Sequence, residues 1–110
     1  MATVGKTTVK VAKQPKVIII STGDELVDVS EQPLPHQIRK SNSQMIAASL
    51  DQLAVSYELF HLLDDKEALL TKLSEIEKEY DILLLSGGVS KGKADYLPDV
   101  LNEIGVQKLF

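Results

Sequence analysis

The sequence predicts an α/β domain: a three-layer αβα arrangement around a mainly parallel sheet. Three observations carry this expectation. Residues 17–20 and 82–85 are short, wholly apolar runs without alternation, the pattern of strands buried on both faces. Amphipathic stretches with helix-start residues before them separate those runs. The resulting order, β–loop–α–β–α–β–loop–α–β, calls for helical crossovers between parallel strands, with helices on both faces of the sheet.

The elements follow in chain order. Residues 7–11 (Thr-Thr-Val-Lys-Val) alternate weakly and suggest an edge strand inside a leading segment over residues 1–15. Pro15 then precedes a β-branched run, expected as a strand over residues 17–21. Residues 22–40 show no period and carry Gly23, Pro33 and Pro35. A loop this long in a small domain points to function. Ser41 with Gln44 three residues on fits a capping box, and Ile46, Leu50 and Leu53 recur at helical spacing, so a helix is expected over 42–53. Residues 55–62 read as a second strand. Asp64 and Glu67 repeat the capping pattern before a helix over 66–79, with Leu69, Leu73, Ile76 and Tyr80 on one face. After the third strand, Leu97, Val100, Leu101 and Ile104 form the stripe of a helix over 96–104. Pro98 is tolerated in its first turn, and Gly105 supplies a left-handed stop. Residues 106–110 begin a fourth strand.

A chain of 110 residues accommodates one domain, residues 1–110, and one modest core. It has no cysteine, which excludes a disulfide framework and thiolate metal sites and fits a reducing compartment. The formal net charge of −4 argues against nonspecific nucleic-acid binding, which needs clustered Lys and Arg. The apolar runs are too short to span a bilayer, and no signal segment is present. A cytoplasmic protein with no membrane or nucleic-acid partner is expected.

In open parallel sheets, ligands bind beyond the carboxyl ends of the strands. Two strand ends run into unusual loops: Thr22, Gly23, Asp24 and Glu25 after the first, and Ser86, Gly87, Gly88, Val89, Ser90, Lys91 and Gly92 after the third. Paired glycines bring backbone N–H groups close to an anion, and Ser86 and Ser90 add hydroxyl donors, so the second loop suits phosphate. Asp24, Glu25, Asp64 and Asp95 should converge on the same edge, where carboxylate oxygens suit magnesium bridging to substrate phosphates. Taken singly, each acid has a plainer role, since Asp64 and Asp95 are good N-caps and surface acids usually meet water. Gly87, Gly92 and Lys93 match most of a P-loop, but Ala94 stands where that motif needs a hydroxyl for magnesium. His36 and His61 have no partner at metal-ligand spacing, and His61 reads as a packed or surface histidine.

These residues, in order, resemble a known family. Ser21-Thr22-Gly23-Asp24-Glu25-Leu26, Ser41-Asn42, Asp64-Asp65, and Ser86 to Gly92 with Asp95-Tyr96 are similar to the molybdopterin-binding domain of molybdopterin molybdotransferases. The resemblance runs from Thr7 to Phe110 and implies the MogA-like molybdopterin-binding fold. That family inserts molybdate into molybdopterin during molybdenum cofactor synthesis. The resemblance therefore implies an adenylylated molybdopterin substrate, molybdate and Mg2+. It implies Glu25, Asp64 and Asp95 as acidic active-site residues, with Asp64 and Asp95 toward the metal. Ser86, Gly87, Gly88, Val89, Ser90 and Gly92 would cradle the substrate phosphate, with Thr22, Gly23, Asp24 and Asn42 lining the same cleft. Full-length relatives imply a homodimer, and they carry further domains and a lysine-bearing segment that this chain lacks. A fragment of a longer transferase, inactive alone, is the expectation. Two other readings stand beside it. A nicotinamide-mononucleotide deamidase of the competence-damage-inducible type shares the fold but has Gly-Gly-Leu-Gly-Pro-Thr where this chain has Gly-Gly-Val-Ser-Lys-Gly. A noncatalytic, molybdopterin-binding scaffold module is the other.

Overall fold

The structure, a computed structural model, describes residues 1–87 and 96–109. After a short 3-10 turn at Ala2–Val4, the ordered elements are β1 (Val17–Thr22), β2 (Leu26–Val27), β3 (Ile38–Arg39) and α1 (Ser41–Gln52). They continue with β4 (Tyr57–Leu62), α2 (Lys66–Glu79), β5 (Ile82–Ser86) and α3 (Leu97–Glu103). The main sheet has the order β4-β1-β5. β1 lies parallel to both neighbours, with Val17 level with Tyr57 on one side and Ile82 on the other.

The unalternating apolar run is explained by that central place: every residue of β1 is buried. Ile18 and Ile20 pack with Leu62, with Leu69, Leu73 and Ile76 of α2, and with Leu97 and Val100 of α3. The intervening residues alternate onto the face that α1 covers, where Ala47 is buried. Burying an aliphatic side chain of this kind contributes about 1.5–3 kcal/mol. The three-layer αβα expectation therefore holds, with α1 on one face and α2 with α3 on the other.

Several local expectations are corrected. Residues 7–11 form no strand; Val9 and Val11 are exposed, so the weak alternation there has no buried face to mark. The exposed leader also explains a radius of gyration of 17.9 Å, against about 13 Å for a compact chain of this length. Ser41 is the first helical residue of α1 rather than its cap, and no side-chain cap bond forms. The cause is the segment before it: the Lys40 N–H donates to the Val27 carbonyl (3.0 Å), which fixes the entry one residue early. The residues of α1 buried against the sheet are Ser43 and Ala47; Ile46 and Leu50 are half-buried and Leu53 is exposed. Small residues there let the helix sit close to β1.

At α2 the capping signal is offset by one. Asp65, not Asp64, is the N-cap, its carboxylate accepting from the Ala68 N–H at 2.8 Å. β4 starts at Tyr57 because residues before it close α1: Val55 N–H returns to the Leu50 carbonyl and Ala54 takes φ 53°. Gly105 does supply the left-handed stop after α3, at φ 85°. Residues 106–109 form no strand; Val106 N–H is spent on the Leu101 carbonyl, and Leu109 is exposed.

Candidate functional site

β1 ends at Thr22, and Gly23 turns the chain with φ 133°, a region that favours glycine. Its N–H donates to the Leu62 carbonyl (3.3 Å), so the turn stays tied to the end of β4. The 22–40 segment, unreadable by period, contains a parallel pair, β2 with β3. The Ile38 N–H donates to the Glu25 carbonyl (2.9 Å), which brings the chain back beside the turn it left. Two-residue strands carry too little pattern to be seen in sequence, but they deliver Lys40 and the start of α1 to the carboxyl end of β1.

β5 ends alongside at Ser86, and Gly87 follows at φ 108°. A methyl group placed on Gly87 would lie 2.5 Å from the Thr22 carbonyl oxygen and 3.0 Å from Thr22 Oγ1. The two turns therefore meet backbone to backbone, and only glycine permits it. A cavity of about 140 Å3 opens at this junction, lined by Thr22, Glu25, Lys40, Asn42, Ser86 and Gly87 among others. Of the residues expected at the site, the structure thus brings together Thr22, Glu25, Asn42, Ser86 and Gly87. Gly23 forms the adjoining turn.

Asp24 and Asp64 meet at the same end of the sheet: the Asp64 N–H donates to Asp24 Oδ1 at 3.1 Å. Because Asp65 takes the capping role, Asp64 is not the N-cap of α2. Gly88, Val89, Ser90, Gly92 and Asp95, with Lys91 and Lys93, lie outside the described residues. Among the described residues, no three His, Asp or Glu side chains gather as a metal site.

The cavity suits an anion. α1 opens onto it without a side-chain cap, and Ser41, Asn42 and Ser43 of its first turn line the wall. The first-turn N–H groups of a helix and the positive end of its dipole favour negative charge. Lys40 adds a cation, its side chain only 19% exposed and 3.9 Å from Asp28. Thr22 Oγ1 is buried and, among the described residues, has no hydrogen-bond partner. A buried hydroxyl gains from a hydrogen-bond partner, so Thr22 Oγ1 is a candidate contact for a bound group.

Wider openings of about 470 and 520 Å3 exist at the other end of the sheet, lined by Lys13, Lys16, Ser56 and Tyr57 among others. They gather no glycine turn and sit where the strands begin. Size does not select the site here; the strand ends do.

Two residues near the cleft have no site role in the sequence reading: Lys40 is not singled out, and His61 reads as a packed or surface histidine. Lys40 had no motif, and only its place before a helix start could have drawn notice. His61 reaches from β4 to β1, its Nδ1 lying 3.0 Å from both the carbonyl oxygen and the Oγ of Ser21. Burial holds its pKa below the ordinary imidazole value, and the nearby Lys40 charge adds to that; the Ser21 carbonyl, Asp24 and Asp64 pull the other way.

Comparison with known proteins shows the family to which the chain belongs. Residues 18–110 match the family described as "Probable molybdopterin binding domain". The chain is 46% identical over 105 residues to a molybdopterin molybdenumtransferase of Synechocystis, covering 94% of this chain and 27% of that protein. A molybdopterin molybdenumtransferase of Staphylococcus epidermidis is 39% identical over 114 residues, covering 100% and 26%. The molybdopterin biosynthesis moea protein of Pyrococcus horikosii superposes with a TM-score of 0.68 at 30% identity, over 84% of this chain and 23% of that one. The chain thus spans about a quarter of the length of the curated relatives it matches.

Proposed function

The chain belongs to the molybdopterin-binding domain family, and from that premise we propose that it holds molybdopterin, in adenylylated form, for molybdate insertion during molybdenum cofactor synthesis. The observation that carries this reading is the junction of the Thr22 and Gly87 turns, with a buried hydroxyl that has no partner among the described residues. Thr22, Asn42 and Ser86 supply hydroxyl and amide groups to the substrate, and the start of α1 with Lys40 supplies positive potential. Residues 86–92 cradle a phosphate through backbone N–H groups, as paired glycines suit.

Magnesium belongs to the same reading. Mg2+ takes one or two carboxylates together with substrate phosphate oxygens. Asp64, joined to Asp24 at the edge of the cleft, suits such a donor set, and the family resemblance adds Asp95, which lies outside the described residues. Bound there, the ion would neutralise phosphate charge. Glu25, exposed at the cavity wall, is the acid placed to exchange a proton with the substrate. We place this chemistry in the cytoplasm, within a dimeric transferase of which the chain forms the substrate-holding part.

Calorimetric titration tests the reading with two ligands. Molybdopterin, handled anaerobically, should bind while magnesium-ATP should bind weakly or not at all, because Ala94 has no hydroxyl to hold the nucleotide's metal. Tight magnesium-ATP binding with no molybdopterin signal would restore the P-loop reading.

A further inference from the structure

We propose that His61 is a positioning residue: its imidazole, as the Nδ1–H tautomer, fixes the end of β1 and so the turn that carries Thr22 and Asp24 into the cleft. His61 pairs in register with Ser21, one residue before Thr22. Its Nδ1 lies 3.0 Å from the Ser21 carbonyl oxygen, which can only accept. The proton therefore sits on Nδ1, shared with Ser21 Oγ at 3.0 Å. Nε2 is then a bare acceptor, and among the described residues it is buried without a partner.

That combination separates positioning from packing. An aliphatic side chain would fill the space without leaving a buried nitrogen unsatisfied, so the imidazole is costly unless its bond to Ser21 is needed. The bond is the first of three successive ties between the ends of β1 and β4. The Gly23 N–H to the Leu62 carbonyl and the Asp64 N–H to Asp24 Oδ1 follow it. His61 itself stays out of the substrate cavity. It lines a neighbouring cavity of about 140 Å3 with Asp28, Lys40 and Ser43, and Ser21 lines both spaces. The charges around the ring are Lys40 before α1, Asp28 and Asp24 after β1, and Asp64 after β4. His61 acts through Ser21 and touches no substrate.

The ligand arm of the test rests on the molybdopterin reading, and the exchange arm does not. Three variants are compared: His61→Leu, which fills space; His61→Asn, whose amide nitrogen takes the place of Nδ1; and His61→Gln, whose amide falls near Nε2. Nitrogen NMR of the wild-type imidazole should show the proton on Nδ1. Without ligand, His61→Leu and His61→Gln should raise amide exchange at Gly23 and Asp64 by about tenfold, and His61→Asn should restore protection to within about threefold. Molybdopterin affinity should follow the same order. Wild-type protection in His61→Leu, or an Asn variant no better than Gln, would overturn the proposal, as would a proton on Nε2. If the Leu variant does not fold, the Asn and Gln pair decides alone. If wild type fails to bind molybdopterin, the functional reading falls while the exchange result still settles the role of His61.

Discussion

Replacing Gly87 with alanine is the sharpest perturbation available, because two separate penalties coincide there. The backbone stands at φ 108°, where an L side chain costs about 1–2 kcal/mol. The new methyl would also lie 2.5 Å from a backbone oxygen, that of Thr22, inside any tolerable contact. A backbone atom cannot swing away as a side-chain tip can, so the overpacking cost is expected at about 1–3 kcal/mol. The sum is about 2–5 kcal/mol against a typical domain stability of about 5–15 kcal/mol. Gly105 provides the control: φ is 85°, but nothing lies within 4 Å of its added Cβ. Gly105→Ala should therefore cost only the backbone share, about 1–2 kcal/mol. Urea unfolding of both variants beside the parent measures the difference. Equal losses in the two variants would show that the Thr22 and Gly87 turns are not packed as described, and the cavity between them would lose its basis.

Other consequences are more local. Asp65→Ala should destabilise the chain by about 1 kcal/mol by removing the cap on α2, whereas Asp64→Ala should not carry that loss, again by urea unfolding. On the proposed magnesium role of Asp64, Asp64→Asn should reduce the magnesium dependence of molybdopterin binding more than it lowers the unfolding midpoint, by calorimetry with and without the ion. The fold favours neutral His61, so the unfolded chain binds more protons once pH falls below about 6.5. Its stabilising contribution is full above that value and is lost as pH falls through the depressed folded pKa. A pH series of unfolding midpoints should show this loss in the parent and not in His61→Asn.

The fold was legible where a single physical pressure dominated. A strand buried on both faces leaves an unbroken apolar run, as residues 17–20 do in β1. Residues 82–85 carry the same run and also pair parallel with β1. But β5 stands at the end of the described sheet, half-buried with Ile82 exposed, so its expected burial on both faces is corrected. Leu69, Leu73 and Ile76 were equally plain, since one helix face meets one core. What escaped depended on choices between near-equals. Asp64 and Asp65 are both good caps, and only the course of the chain after β4 makes Asp65 accept from Ala68. Ser41 and Gln44 could form a box in isolation, but the Lys40–Val27 hydrogen bond starts the helix first. At the site, Gly23 and Gly87 were visible because backbone turns need them. His61 was not, because its partner Ser21 is 40 residues away and only strand pairing joins them.

The proposed ligand site lies at the carboxyl end of the sheet, between the Thr22 and Gly87 turns, and not in the wider openings where the strands begin. Amide chemical-shift mapping during titration with molybdopterin tests this directly. Expected are saturable shifts at Thr22, Gly23, Asn42, Ser86 and Gly87, with little change at Lys16, Ser56 and Tyr57. Shifts concentrated at Lys16, Ser56 and Tyr57, with the two turns unmoved, would contradict it.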